Sequence, residues 1–432
     1  MPPTTPSLTH PAAAAAASGS GEEHVLIARQ PIFEARTQQV FGYELLFRSS
    51  DENKYTATDG RFASSQTINR AIHSIGLDVV VGDKKAFINI TRDLLLEEVY
   101  TLLPPDRCVV EILEDLTLDE EVIAACKKLR AAGYGLALDD VTSSERVKPL
   151  WGVADIVKVD LSLIAKDQRA RVLRELAPYA SRLLAEKVET KEEFDEAVAL
   201  GCQYVQGYFF CRPELMRGRG LTGAEVIYLQ FLRELNKPTL DYVVLEQIIK
   251  QDTSLAFKLL KYLNSAAVGL RHKVTSIQQA LVMMGERPLR KWGSLVVITS
   301  INSKRPPELM LTSLVRAHFC EAVARKLNLA DQQLEMFLVG LLSSMDVVLG
   351  MPMAQIVEQT GVSETVRSLL LQESAAPKDL NKIFALSVAC ERGAWSTVSK
   401  TSTGLRLTQG DIATIYYGAL GWANQALAAA AA

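Results

Sequence analysis

The run Asp155-Ile156-Val157-Lys158-Val159-Asp160 decides how the first half of the chain is read. It is short, rich in β-branched residues and closes on polar side chains, as expected of a buried strand that ends at a functional edge. Seven similar runs lie between His24 and Tyr208: VLIA, VFGYELLF, KAFINI, CVVEI, GLALD, RLLAE and YVQGYF. Helical stretches separate them, as in Leu118 to Ala132 and in Lys191 to Leu200, the latter ended by Gly201. Eight strands with intervening helices predict an α/β fold, a (β/α)8-type TIM-like barrel.

After Cys211-Arg212-Pro213 the pattern changes, and from about Ala224 onward amphipathic helices follow one another with almost no strand alternation. Val244, Leu245, Ile248 and Ile249 form one apolar stripe, and Ser276 is placed to cap a helix that runs to Met284 and stops at Gly285. Ala317 to Leu327 forms another helix. The expected organisation is therefore a leader over residues 1–22, a barrel over 23–213, an all-α domain over 214–410 and a helical, Ala-rich tail over 411–432.

At 432 residues and 48% apolar content the chain can bury two independent cores. Its 47 basic and 50 acidic residues leave a net charge of −3, so no global field draws it to nucleic acid or to an anionic membrane, and neither is expected as a partner. Arg271, Lys273, Arg287, Arg290 and Lys291 make a local basic stretch that reads as a solvated helix face. The cysteines at 108, 126, 202, 211, 320 and 390 have neither zinc nor disulfide spacing, which fits reduced, buried thiols in a cytoplasmic protein. Residues 1–22 carry an alanine run and no Lys or Arg for a secretory signal, and read as disordered. Phe337 to Val357 is strongly apolar, but Ser343, Ser344, Asp346 and Pro352 interrupt it, so a buried helix pair is expected there and not a membrane span.

The chemistry lies in how the strands close. Glu44 closes the second, Asn89 the third, Glu111 the fourth, Asp139-Asp140 the fifth, Lys158 the sixth, Glu186 the seventh and Gln206 the eighth. In a parallel barrel these ends share one mouth. A lone acidic residue at a strand end is more often solvated or capping a helix. Several carboxylates gathered at one rim need cations to offset their repulsion, and hard oxygen ligands suit Mg²⁺ or Mn²⁺. Such ions polarise a phosphodiester and generate hydroxide, with Lys158 holding the water or stabilising developing charge.

These residues resemble the EAL-domain cyclic-di-GMP phosphodiesterases over roughly residues 24 to 213. Gln30-Pro31-Ile32 resembles the opening QPI, Gly42-Tyr43-Glu44-Leu45-Leu46-Phe47-Arg48 the signature G-x-E-A-L-L-R, and Phe87-Ile88-Asn89 the third-strand asparagine motif. Glu111-Ile112-Leu113-Glu114 resembles E-x-T-E, Asp139-Asp140 the double aspartate and Lys158-Val159-Asp160 the K-x-D. Ala185 to Thr190 resembles A-E-G-V-E-T, and Val205-Gln206-Gly207-Tyr208 resembles V-Q-G-Y. The resemblance implies that Glu44, Asn89, Glu111, Asp139 and Asp140 hold up to two metal ions and that Glu186 and Lys158 manage the water. It further implies that Gln206 supports the site, that Arg48 and Gln30 contact the ligand, and that Glu114 and Glu189 have supporting roles.

Two departures stand out. The family's D-D-F-G-T-G-Y-S-S loop reads Asp139-Asp140-Val141-Thr142-Ser143-Ser144-Glu145, without either glycine, so another loop path is expected. Lys187 stands where the family has a glycine beside its glutamate, a change that fits the pairing of an EAL barrel with an HDOD domain.

The second half is similar to HDOD domains, relatives of the HD phosphohydrolases without their metal motif. Leu259 to Ala266, Ser276 to Leu281 with Gly285, and His318 to Ala322 carry that likeness. Where an HD enzyme places its His-Asp pair, this chain reads Gly340-Leu341-Leu342-Ser343-Ser344, and His272 and His318 alone assemble no metal site. Two functions follow: a regulator that binds cyclic-di-GMP or a protein partner in its barrel, with the HDOD domain as output or interaction module, or an active phosphodiesterase giving pGpG. A homodimer is compatible with both.

Overall fold

A computed structural model of the protein describes residues 26–48, 76–113, 116–179, 182–209, 221–263, 276–301 and 307–431. Expectations for the leader, Glu114, Cys211 to Pro213, Asn264 to Ala266, Arg271 and Lys273, and for the side chain of Arg48, lie outside the described residues. Among the described residues eight strands close a barrel in chain order: β1 (Leu26–Glu34), β2 (Val40–Arg48), β3 (Lys85–Ile90), β4 (Cys108–Ile112), β5 (Gly135–Leu138), β6 (Ile156–Asp160), β7 (Arg182–Glu186) and β8 (Tyr204–Gln206).

The barrel departs from an all-parallel one at its first strand. β1 runs antiparallel to both β2 and β8, because a tight turn at residues 35–39 joins β1 directly to β2 with no crossover helix. The β1-β2 pairing continues to Leu26↔Arg48, whereas β2 meets β3 only as far as Leu45↔Ile88 and β1 meets β8 only from Ile32 on. A two-stranded ribbon therefore rises above the barrel rim.

Side chains alternate between the two faces of a strand, and that period of two sets the site's position. Ile32, Phe87, Val109, Ala137, Ile156, Leu184 and Tyr204 fill the lumen as one apolar cluster. Each lies two residues from a polar side chain: Gln30, Asn89, Glu111, Asp139, Lys158, Glu186 and Gln206. The polar set is thus the layer stacked on the lumen core. A second apolar cluster joins the outer strand faces to the surrounding helices, which include Glu120–Ala131 and Lys191–Ala199.

From Gly223 onward the described residues form a helical domain with its own core. Helix Tyr242–Lys250 buries Leu245, Ile248 and Ile249. Helix Ile277–Met284 is capped by Ser276 and ended by Gly285 at φ 73°. Ala317 to Leu327 belongs to a longer helix, Pro307–Lys326, that begins ten residues earlier than the sequence pattern suggests, because burial along it leaves no single polar face to mark its start. Helix Gln333–Leu342 packs on it so closely that a Cβ at Gly340 would lie 2.4 Å from the Arg316 carbonyl carbon. The apolar window beginning at Phe337 is divided among three helices, the others being Met345–Leu349 and Met353–Thr360, where a pair was expected; Gly350 and Pro352 make the extra break. Among the described residues no helix is long and apolar enough to cross a membrane. The described cysteines are free and buried.

Candidate functional site

Lys158 sits at the centre of the mouth, fully buried, with its ammonium 2.9 Å from Glu111 Oε1, Asp139 Oδ1 and Glu186 Oε1 and 3.2 Å from Glu44 Oε2. Glu44 is fixed from three sides: Asn89 Nδ2 donates to its Oε1 at 3.1 Å, while Gln206 Nε2 (2.6 Å) and Lys158 donate to its Oε2. Both amides thereby spend their N–H groups on Glu44 and keep their oxygens for something else. Gln30 pairs directly across the ribbon from Glu44. Together Gln30, Glu44, Asp139, Asp140, Glu186, Lys187 and Gln206 line one cleft at the mouth.

Contrary to the reading that each residue closes its strand, Glu44 lies in the middle of β2, four residues before its end; the ribbon carries that strand past the rim. Glu111 is fully buried against Lys158 and does not itself line the cleft. Glu189 is exposed on the turn whose Thr190 and Glu193 cap helix Lys191–Ala199, and it does not line the cleft.

The electrostatics follow from four carboxylates, Glu44, Glu111, Asp139 and Glu186, sharing one buried lysine, with Asp140 lining the same cleft. Burial works to raise the Glu44 carboxyl, but Lys158 and the Gln206 and Asn89 donors outweigh it and hold it below the usual range. Burial and the neighbouring Glu44 push Glu111 well above that range. Glu186 is pushed up to about 8, by burial first and then by Asp139 and Glu44, against the opposing pull of Lys158. For Lys158 burial favours the neutral amine, yet the surrounding carboxylates win and hold it charged far above its ordinary range.

Several buried oxygens here have no hydrogen-bond donor among the described residues: Asn89 Oδ1, both Glu111 oxygens, Asp139 Oδ1, Asp140 Oδ1 and Gln206 Oε1. Two of these, Glu111 Oε1 and Asp139 Oδ1, lie within ion-pair distance of Lys158, which is their one nearby cation among the described pairs. Orphaned buried acceptors are costly, and such a cluster of hard oxygens suits Mg²⁺ or Mn²⁺. Among the described residues no three acidic, His or Cys side chains form a ready-made cage. The Lys158 ammonium draws four of the carboxylates toward itself, so the donor set fits such cations in chemistry while its present spacing serves the lysine.

The loop after β5 resolves the missing glycines. Asp140 takes the left-handed conformation (φ 45°), which aspartate tolerates better than most residues, and no residue from Val141 to Trp151 needs a positive φ. Val141 is buried, its N–H bonds to the Lys158 carbonyl at 3.0 Å, and the chain enters a short helix at Ser144–Val147. Lys187 adopts φ 52°, a conformation that favours glycine, and its ammonium pairs with buried Asp160 at 2.5 Å, a contact that sequence inspection missed. Asp160 Oδ1 also accepts from the Ser162 N–H and hydroxyl. Gly207 is required by close approach, since a Cβ there would lie 2.0 Å from the Val188 carbonyl oxygen.

A model of the EAL domain matches residues 16–213, and one of the HDOD domain matches residues 223–380. The uncharacterized protein YuxH of Bacillus subtilis is 33% identical over 408 residues, covering 93% of this chain and 98% of that one. The chain belongs to the EAL-HDOD family. Another relative of the EAL-HDOD chain, the cyclic di-GMP phosphodiesterase CdgJ of Vibrio cholerae, is 34% identical over 377 residues, 87% of this chain and 86% of its own length. Among solved structures, a calcium/cyclic-di-GMP complex of Klebsiella pneumoniae BlrP1 overlaps 44% of this chain and 56% of that one, with a TM-score of 0.37 at 24% identity.

In the HDOD half, the described residues of the basic stretch, Arg287, Arg290 and Lys291, are tied into their own domain. Arg290 donates to the Leu235 and Pro238 carbonyls, Arg287 to that of Ala330, and Lys291 pairs with Glu321 at 2.6 Å. His318 stacks on Trp422 with ring centroids 4.9 Å apart.

Proposed function

We propose that this EAL-HDOD protein works in cyclic-di-GMP signalling, and that its barrel mouth binds the cyclic dinucleotide over divalent cations and opens it to linear pGpG. The observation that carries the reading is the cluster of donor-less oxygens around Lys158 in the described cleft. Likeness to CdgJ over most of both chains supports the ligand.

In this reading Glu44, Asn89, Glu111, Asp139 and Asp140 hold Mg²⁺ or Mn²⁺, whose chemistry is to polarise the phosphodiester and acidify water. Gln206 and Asn89 orient Glu44, and Gln30 meets the ligand from across the ribbon. Glu186 lines the same cleft, and once bound cations offset the burial and neighbouring carboxylates that push its carboxyl up to about 8, it is placed to take a proton from the attacking water and pass it on. Lys158 stabilises the charge that develops as the water oxygen bonds to phosphorus and the phosphorus to 3′-oxygen bond breaks. That oxygen leaves as a hydroxyl. The HDOD domain serves as output or interaction module.

Purified protein given cyclic-di-GMP and Mn²⁺ is expected to release pGpG, measured by chromatography, with EDTA stopping release and Glu44→Ala lowering it at least about 100-fold. Equal turnover by wild type and Glu44→Ala would remove this cleft as the catalyst. Binding without turnover is the second reading. It is favoured by the rebuilt loop after Asp140, and it is what calorimetric binding of cyclic-di-GMP with no pGpG release would establish.

A further inference from the structure

The ribbon that carries Gln30 and Glu44 is held at its free end by the helical domain. Beyond Leu45 on β2 and before Ile32 on β1 the two strands have only each other as ladder partners among the described elements. A two-stranded ribbon is marginal alone. Here Leu26 is part of the helical domain's core, the Ile27 N–H donates to Tyr417 Oη at 3.0 Å, and Gly393 lies against Leu46 and Ala28.

The central contact is polar and buried. Tyr43 Oη donates to Glu308 Oε2 at 2.6 Å, and the Arg29 guanidinium lies 3.8 Å from Glu308 Oε1 and 4.3 Å over the Tyr43 ring. Arg29 also donates to the Val80 carbonyl at 2.5 Å. Tyr43 and Arg29 directly precede Glu44 and Gln30, so each strand turns one residue toward the cleft and the one before it toward Glu308. Glu308 itself opens helix Pro307–Lys326, which Arg316 fastens to Glu391 through two hydrogen bonds, at 2.7 and 2.9 Å. The carboxylate is therefore mounted on a rigid frame.

We infer that Glu308 of the helical domain is a positioning residue for the barrel's cleft, setting Glu44 and Gln30 through their chain neighbours Tyr43 and Arg29. The inference rests on the proposed cation site and assigns the helical domain a direct hold on it. A buried arginine deprived of the carboxylate it pairs with has to re-orient, and the strand beneath it moves as well. Any event that shifts the helix bearing Glu308 then changes the affinity of the mouth.

The test is Mn²⁺ affinity of the full chain, read by calorimetry without nucleotide, in Tyr43→Phe, Glu308→Ala, Glu308→Gln, the Tyr43→Phe/Glu308→Ala pair and Tyr417→Phe. Tyr43→Phe and Glu308→Ala are each expected to weaken Mn²⁺ binding about fivefold, the low end of measured coupling between sites. The pair should be no worse than Glu308→Ala, since both remove one shared contact. Glu308→Gln, which keeps an acceptor for Tyr43, recovers most of the loss. Tyr417→Phe, which also cuts an interdomain hydrogen bond, leaves affinity unchanged. Affinity within twofold of wild type in either single variant overturns the inference, and so does an equal loss in Tyr417→Phe. Should Glu308→Ala fail to fold, Tyr43→Phe decides. Wild-type protein that takes up no Mn²⁺ overturns the site reading and this inference with it.

Discussion

Each half of this protein buries a basic side chain among acceptors, and the two clusters behave oppositely. In the helical domain Arg316 meets Glu391 fork to fork and donates to Ser343 Oγ at 3.1 Å and Ser344 Oγ at 3.4 Å, and Ser343 passes its own hydroxyl to the Gly340 carbonyl at 2.7 Å. Charges balance and donors meet acceptors. In the barrel Lys158 faces four carboxylates at once, with Asp140 close by, and oxygens remain without donors. Ser343 and Ser344, which the sequence resemblance aligns with the His-Asp pair of HD enzymes, are both taken up by Arg316. A matched buried pair is architecture, whereas an excess of buried acceptors is a place for a cation.

The largest effect that would sharpen this contrast is Lys158→Ala. Removing the cation at the centre of the carboxylate cluster is expected to cost turnover about 10³-fold and stability about 3–5 kcal/mol. Denaturant titration should then show Mn²⁺ stabilising the variant more than it stabilises wild type. Arg316→Ala should also lose about 3 kcal/mol, by leaving half-buried Glu391 without its partner, but added Mn²⁺ should restore nothing beyond its effect on wild type. Rescue of Arg316→Ala by Mn²⁺ would break the comparison.

The response to pH tests the barrel cluster further. Because the folded-state carboxyl of Glu186 is raised to about 8, its contribution to stability is fully present below its unfolded value and is lost as pH rises through about 8. Glu111, raised by burial and by Glu44, acts in the same direction. Metal-free protein should therefore lose stability between about pH 5 and 8 with a slope on the order of 1.4 kcal/mol per pH unit for each proton released. Saturating Mn²⁺ should flatten or reverse that slope, because it binds the deprotonated carboxylates. A flat metal-free profile would show that the mouth holds no raised carboxyl.

The smallest effect concerns Lys187. Its left-handed backbone costs about 1 kcal/mol that its pairing with Asp160 offsets only in part, since the lysine is 61% exposed. Lys187→Gly is expected to change unfolding free energy by less than about 1 kcal/mol. A loss beyond about 2 kcal/mol would mark the Lys187-Asp160 pair as a structural fastening of the rim.

Much of the barrel was legible because period-two alternation writes its layers into short runs: Phe87 then Asn89, Val109 then Glu111, Leu184 then Glu186. What escaped was equally specific. The reversed first strand has no mark in VLIA or QPI, because β-branched runs do not carry a direction. Helix Pro307–Lys326 was read short because its first ten residues are buried on nearly every side. Glu308 looked like one more helix-start acid, and its role needs Tyr43, 265 positions away, to be brought to 2.6 Å.

By itself the sequence determined that polar residues at seven strand positions share one parity with the lumen core, since side-chain direction along a strand is a local property. It also determined that a helical domain follows. Only the tertiary structure decided that Lys158 draws four carboxylates together, that Asp140 and Lys187 take the left-handed turns, and that Arg29 and Tyr43 lean on the helical domain. Those outcomes depend on charge balance and burial among groups far apart in the chain, and local pattern carries neither quantity.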